Sequence, residues 1–222
     1  GITLNGFNYS SSGVGNLIIS LKQLLYAEEG IAIALGLATS VPTGSNLTGS
    51  AGLANFRFEN EAVHLLPYLG LQLAPNERWF FHAFVQVDTP VSDNTISTQP
   101  FGFPPAVSVD FRDETLMYLD AAVGFWWFQN DSLDALVRGQ ASMLEFHYTT
   151  SLEDAETATA NNVFVGRRGN RINMLNMTVG LHTELADGWA LRSAIVVPLR
   201  SGEDRSFDTE IQIALIKKLG QQ

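Results

Sequence analysis

No cysteine occurs in the 222 residues. That removes disulfides, thiolate nucleophiles and cysteine metal sites, and it leaves the redox compartment open. Basic side chains are scarce, 13 Lys and Arg against 23 Asp and Glu, so the formal net charge is −10. Without a cationic footprint for phosphates, nucleic acid is not an expected partner. No run approaches the roughly 18 consecutive apolar residues of a membrane-spanning helix. Catalytic signatures are missing as well: there is no Gly-x-Ser-x-Gly element, no paired-histidine zinc motif and no phosphate-binding glycine loop. The four histidines are scattered, which is weak ground for a metal site. An enzyme, a cofactor and a bound metal are therefore not expected. No secretory leader is visible at Gly1, so the chain begins either at a mature terminus or at a fragment boundary.

What is present is alternation. From Ile31 to Val41, the residues Ile31, Ile33, Leu35, Leu37, Thr39 and Val41 share one face, and Ala32, Ala34, Gly36, Ala38 and Ser40 share the other. A period of two held this long is an extended strand. A sandwich strand in water usually shows polar residues opposite its apolar ones. Here bulk lies on one side and almost nothing on the other, as expected when the bulky face meets lipid and the small face lines a crowded interior. A water-soluble barrel or sandwich with the large faces inward is the competing arrangement, but its outer faces would carry more Lys, Glu and Thr.

The same pattern recurs along the chain. Strands are expected within Gly1 to Tyr9, Val14 to Ala27, Ile31 to Val41, Val63 to Leu73, Trp79 to Asp88, Tyr118 to Trp127, Leu133 to Tyr148, Leu175 to Leu185, Trp189 to Val197 and Asp208 to Leu215. Pro67 falls inside one of them, where it favours an edge or a bulge. Leu133 to Tyr148 starts with a blurred phase that suggests a bulge. Connections alternate between tight turns and long polar loops, the latter at Thr43 to Asn60, Thr89 to Val107 and Thr149 to Asn170. These loops carry Phe56, Phe58, Phe101 and Phe103 and the pair Arg167-Arg168. All four tryptophans (Trp79, Trp126, Trp127 and Trp189) lie near the tight turns, where amphipathic rings would meet headgroups. The expected fold is a single all-β domain over 1–222, a transmembrane antiparallel up-and-down β-barrel of about ten strands. The even number needs the weak first strand, without which the chain ends would lie on opposite sides.

The stretch Val14 to Gly44 (VGNLIISLKQLLYAEEGIAIALGLATSVPTG) resembles the outer-membrane putative transporter family annotated for the MetA pathway of phenol degradation. It has Gly-Asn at the strand opening, Lys22 before a short acidic turn, and a strand closing on Ser-x-Pro-Thr-Gly. Leu144 to Thr150 and the hairpin around Ala186-Asp187-Gly188 are similar in style. The resemblance implies the outer membrane of a Gram-negative-type bacterium and an uptake role for hydrophobic or aromatic compounds; it assigns no catalytic residue. The expected function is a narrow channel or passive transporter for small solutes, with membrane lipid or detergent as partner and a small-molecule solute as a further one. The alternative is a non-conducting structural or interaction barrel presenting long external loops. Oligomeric state is undetermined.

Polar residues in phase with the small side chains are the candidate site, as lumen-lining positions: Lys22, His82, Gln86, Asp88, Asp120, Glu145, His147, His182, Glu184, Arg192 and Glu210, with Gln212 beside them. In a narrow lumen such charges must be paired and hydrogen-bonded. Lys22, Arg192 and Glu184 are expected at similar depth. His82 and Asp88 stand six residues apart on one strand, roughly 20 Å, too far to be each other's partners.

Overall fold

The computed structural model describes residues 2–4, 7–9, 13–51, 54–100, 106–132, 134–154, 156–160, 163–165 and 171–218. Phe101, Phe103 and Arg167-Arg168 lie outside them. The described chain is all-β apart from single 3-10 turns at Ala186–Gly188 and Gly202–Asp204. Its strands are β1 (Ile2–Leu4), β2 (Phe7–Tyr9), β3 (Leu17–Glu28), β4 (Ile31–Val41), β5 (Leu47–Ala51), β6 (Ala54–Glu59), β7 (His64–Leu73), β8 (Trp79–Pro90), β9 (Asn94–Pro100), β10 (Val107–Phe111), β11 (Leu116–Gln129), β12 (Val137–Ser151), β13 (Ala158–Ala160), β14 (Val163–Val165), β15 (Asn173–Leu185), β16 (Trp189–Pro198) and β17 (Glu210–Lys217).

Nine of these form one antiparallel sheet in the order β17-β16-β15-β12-β11-β8-β7-β4-β3. The register lines up the alternating residues across the whole width. Val123, Leu144, Val179, Ile195 and Ile211 stand side by side, and so do Leu35, Leu69, Val85, Leu119 and Tyr148. One face is therefore largely apolar, and the other carries most of the small and polar residues. Tight turns use left-handed backbone where they need it: Gly30 (φ 78°) between β3 and β4, Asp187 (φ 55°) and Gly188 (φ 72°) between β15 and β16. A side chain at Gly30 would also run into the carbonyl of Ala74 at 2.6 Å.

The closed barrel is not found. In place of the expected first strand, Gly1 to Tyr9, stand β1 and β2, which pair with each other through Ile2–Tyr9, Thr3–Asn8 and Leu4–Phe7 and, among the described residues, with no other strand. Nine strands remain, and in an antiparallel order the first and ninth run in the same direction. The neighbours that an even-numbered antiparallel barrel would join are thus mismatched in polarity. Among the described residues β3 and β17 each have a single neighbour, and the sheet is open.

The long connections also differ from expectation. Thr43 to Asn60 contains the hairpin β5–β6, and Thr89 to Val107 supplies β9, which with β10 completes a second sheet in the order β10-β9-β6-β5. This small sheet stands at the loop end of the large one. It holds the largest of the fully buried side chains, Ile96, Asn94 and Thr98, and Phe56 is buried as well. In the large sheet, by contrast, the bulky apolar residues are nearly all exposed or half-buried. Pro67 lies in an interior strand. The β7–β8 ladder is interrupted at Leu66 and Pro67 while the register on either side is kept, because proline has no N–H to give it. Register shifts mark bulges at Leu24/Tyr26, Trp126/Phe128 and Val137/Gly139.

Several functional expectations stood on closure and fall with it. These are the narrow channel, the passive transporter and the non-conducting barrel. The transport role, the lipid or detergent partner and the outer-membrane location go with them. The tryptophans do not form one belt either. Trp79 packs against Phe81 and Phe125, whereas Trp126 turns to the polar face and meets Phe80 and His182.

Candidate functional site

All eleven candidate residues fall on the polar face by register, but no closed wall surrounds them as a lumen. The face is concave. Trp126 of β11 and His182 of β15 reach each other over β12, ring centroids 5.6 Å apart. Small residues beneath permit this: a Cβ on Gly139 would meet the Trp126 ring at 2.8 Å. In the same way Ser20 of β3 meets the Tyr68 hydroxyl of β7 at 3.2 Å, over Gly36 of β4. Ala, Gly and Ser on this face are therefore packing positions that let large side chains cross a strand.

Three clusters sit in the trough. At its centre His147 places Nδ1 3.0 Å from Asp120 and Nε2 3.1 Å from the Thr178 hydroxyl and 3.4 Å from Glu145. Hydrogen bonding to Asp120 and then to Glu145 pushes its pKa up to about 9, against the opposing effect of burial. Asp–His–Thr in this geometry has the outline of a nucleophile triad. Its chemistry is wrong for one. An imidazole held protonated at neutral pH cannot take a proton from Thr178, and that threonine is buried, away from any substrate. The cluster is an ion network, with one cation shared by two carboxylates.

The second cluster joins the two sheets. His64 places Nδ1 2.6 Å from Asp88 and Nε2 3.1 Å from Asp113. Asn94 donates to the same Asp113 oxygen at 2.8 Å and accepts the backbone N–H groups of Glu61 and Ala62, each at 2.9 Å. Ser92 accepts the N–H of Val63 at 2.8 Å. Sequence reasoning missed His64, Asn94 and Asp113, and it missed Asp88's true partner. His64 shares the phase of Tyr68 and Gln72, which was the available signal, but its partners come from another strand and from a connection 49 residues away.

The third cluster lies at the turn end. Arg192 Nε donates to His182 Nδ1 at 3.1 Å, His182 Nε2 faces Glu184 at 3.8 Å, and Lys218 reaches Glu184 at 3.3 Å. Burial and then the Arg192 charge lower the pKa of His182, so the neutral ring can accept from the guanidinium. Burial also lowers that of His82, with Glu145 opposing and Arg192 assisting. Arg192 stands four strands from His82, and its charge is the smallest of these influences. Lys22, expected at the level of Arg192 and Glu184, belongs to β3 at the other edge and is not brought to them. Gln212 donates to Glu210 at 2.9 Å on the β17 edge.

Two of the clusters bring one histidine to two carboxylates, but among the described residues no such group is arranged to hold a metal ion. Unpaired strand edges lie elsewhere, at β3 and β17, each with a single neighbour among the described residues. On β17 the exposed fractions of Ile211, Ile213 and Leu215 are 74%, 75% and 63%. The N–H of Lys218 points inward to Gly188 at 2.9 Å. By alternation the backbone groups of Ile211, Ile213, Leu215 and Lys217 then point out of the sheet. No family model, no curated protein and no solved structure matches this chain. The likeness of Val14 to Gly44 to the putative transporter family thus stays what those residues alone make it.

Proposed function

We propose that this chain is a non-catalytic interaction module that takes up an extended protein strand along the open edges of its large sheet. The observation that carries the reading is the pair of single-neighbour strands β3 and β17, with large apolar side chains exposed along both. A sheet edge is a row of unpaired donors and acceptors ready for another strand, and natural proteins cover or blunt it. The partner is a β-strand of alternating apolar residues, since main-chain hydrogen bonds supply affinity and the apolar row supplies the match. The polar trough serves rigidity. Its histidines are held by carboxylates, by Arg192 or by aromatic rings, which fixes the curl of the sheet that presents the edges.

The test is amide hydrogen exchange on the full chain, with and without a synthetic ten-residue peptide of alternating valine and threonine. Exchange at Ile211, Ile213 and Leu215 should slow by about tenfold or more with the peptide in excess. The same peptide N-methylated on alternate residues should do nothing. Unchanged exchange at both edges of a chain shown to be monomeric would sink the reading.

A further inference from the structure

We propose that the strand taken up at β17 is β17 of a second copy, antiparallel across a two-fold axis at Ala214; this rests on the strand-addition reading above. The two edges are not equivalent. β3 carries a bulge at Leu24/Tyr26 and the cation Lys22 in mid-strand, both devices that blunt an edge. β17 pairs with β16 without a register shift and has no charge between Glu210 and Lys217. It is the unprotected edge.

Geometry limits how two copies can meet there. If the apolar faces are to remain on one side, rotation about an axis through the sheet brings β17 against β17 in antiparallel, while β3 against β17 would be parallel. The self-paired contact is isologous, the commonest oligomer symmetry. Within it, the residues whose backbone points outward must oppose one another. With Ala214 on the axis, Ile213 faces Leu215 of the second copy and Ile211 faces Lys217 of the second copy. These pairs and their symmetry mates make about eight main-chain hydrogen bonds. Ala214 then meets its own copy at a closely spaced, non-hydrogen-bonded position. The charges then complement each other. Glu210 stands opposite Lys218 of the second copy at both ends of the seam. Lys218 is exposed, and its ammonium, now 3.3 Å from Glu184, projects from the same polar face as Glu210.

Sedimentation equilibrium on the full chain should give a dimer of 24.3 kDa chains. Glu210→Lys alone and Lys218→Glu alone should each raise the dissociation constant by about tenfold or more, because each creates two like-charge pairs per dimer. The double variant should return to within about threefold of the parent. The absence of native cysteine permits a register test. Ala214→Cys should cross-link the dimer on non-reducing gels. Gln212→Cys should not, since its opposite number is Ile216 and the two 212 positions lie about 13 Å apart. A dimer cross-linked through 212 and not 214 overturns this register. A monomer at all concentrations that still protects β17 with the valine–threonine peptide overturns self-pairing and leaves strand addition standing. A monomer that takes up no peptide overturns both.

Discussion

The small sheet at the loop end and the large sheet that supports it are held together by different means. In the β5-β6-β9-β10 sheet, side chains such as Ile96 and Phe56 are buried, and polar groups are satisfied in place by Asn94 and Ser92. In the nine-stranded sheet the strands are on average about twice as long, yet Leu35, Leu69, Val179 and Ile195 remain exposed. Its cohesion comes from the hydrogen-bonded ladder, from cross-strand pairs and from rings and ion networks over the polar face. Burial stabilises the first region and pairing the second. A substitution of the same size should therefore have very different consequences in the two places.

The largest difference should appear at Ile96, 2% exposed. Ile96→Ala leaves a cavity in the small sheet and should destabilise by about 2–5 kcal/mol, read from the midpoint of chemical denaturation. A loss under about 1 kcal/mol would mean that the loop-end sheet has no packed core, and the contrast would collapse. A smaller loss is expected on the polar face of the large sheet. A Cβ at Gly124 would run into the Phe80 ring, which is confined by His82 and Trp126 at centroid distances of 5.4 and 6.0 Å. Gly124→Ala should cost about 1–3 kcal/mol, and Phe80→Leu in the same chain should recover part of it. If Gly124→Ala is neutral, the rings are not packed across the strands.

The unequal legibility of the two regions has the same origin. A period of two repeated over ten or more residues survives any tertiary arrangement, because burying or exposing a whole face needs it. Ile31 to Val41 and its eight companions were readable for that reason, and so was the membership of each face. The strand Gly1 to Tyr9 misled, since its weak alternation fits two short strands folded on each other as well as one long one. Leu47 to Glu59 looked like a loop because Gly49, Ser50 and Asn55 weaken the signal of a short hairpin. Its residues become strand through contact with β9, which lies some 40 positions later. Closure itself depends on whether a single strand is present, and alternation along the others has no bearing on it. At the site, face membership was legible for His82, His147, His182 and Arg192. Partnership was not, because Asp120 and His147, or His64 and Asp113, are joined only by register.

The ion network offers a test with a sign. The pKa of His147 is raised from 6.5 to about 9 by Asp120 and Glu145. The proton is bound more tightly in the folded chain, so this stabilisation is complete below about pH 6.5 and disappears as pH rises through about 9. The denaturation midpoint of the parent should fall across that window, and His147→Gln should flatten the decline. An NMR titration of the ring should find the same raised value. A His147 midpoint near 6.5 would show that the centre of the trough is not tied together by charge, and the large sheet would lose one of its three supports.

The smallest effect should come from the apolar face. Leu35 is 48% exposed, with Gln23 and Leu69 beside it in register. Its side chain removes only part of its surface from water when the sheet forms, so Leu35→Ala forfeits part of the 1.5–3 kcal/mol associated with full burial of a leucine, about 1 kcal/mol or less. Ile96→Ala and Leu35→Ala delete comparable numbers of methyl and methylene groups, so the ratio of their effects isolates burial from chemistry. A ratio well above two sharpens the distinction between a packed cap and a paired sheet. A ratio near one requires that something covers Leu35 in solution. Since Leu35 is in the second strand from the β3 edge and far from β17, that cover could not be the β17 seam, and a contact over the face itself would have to be sought.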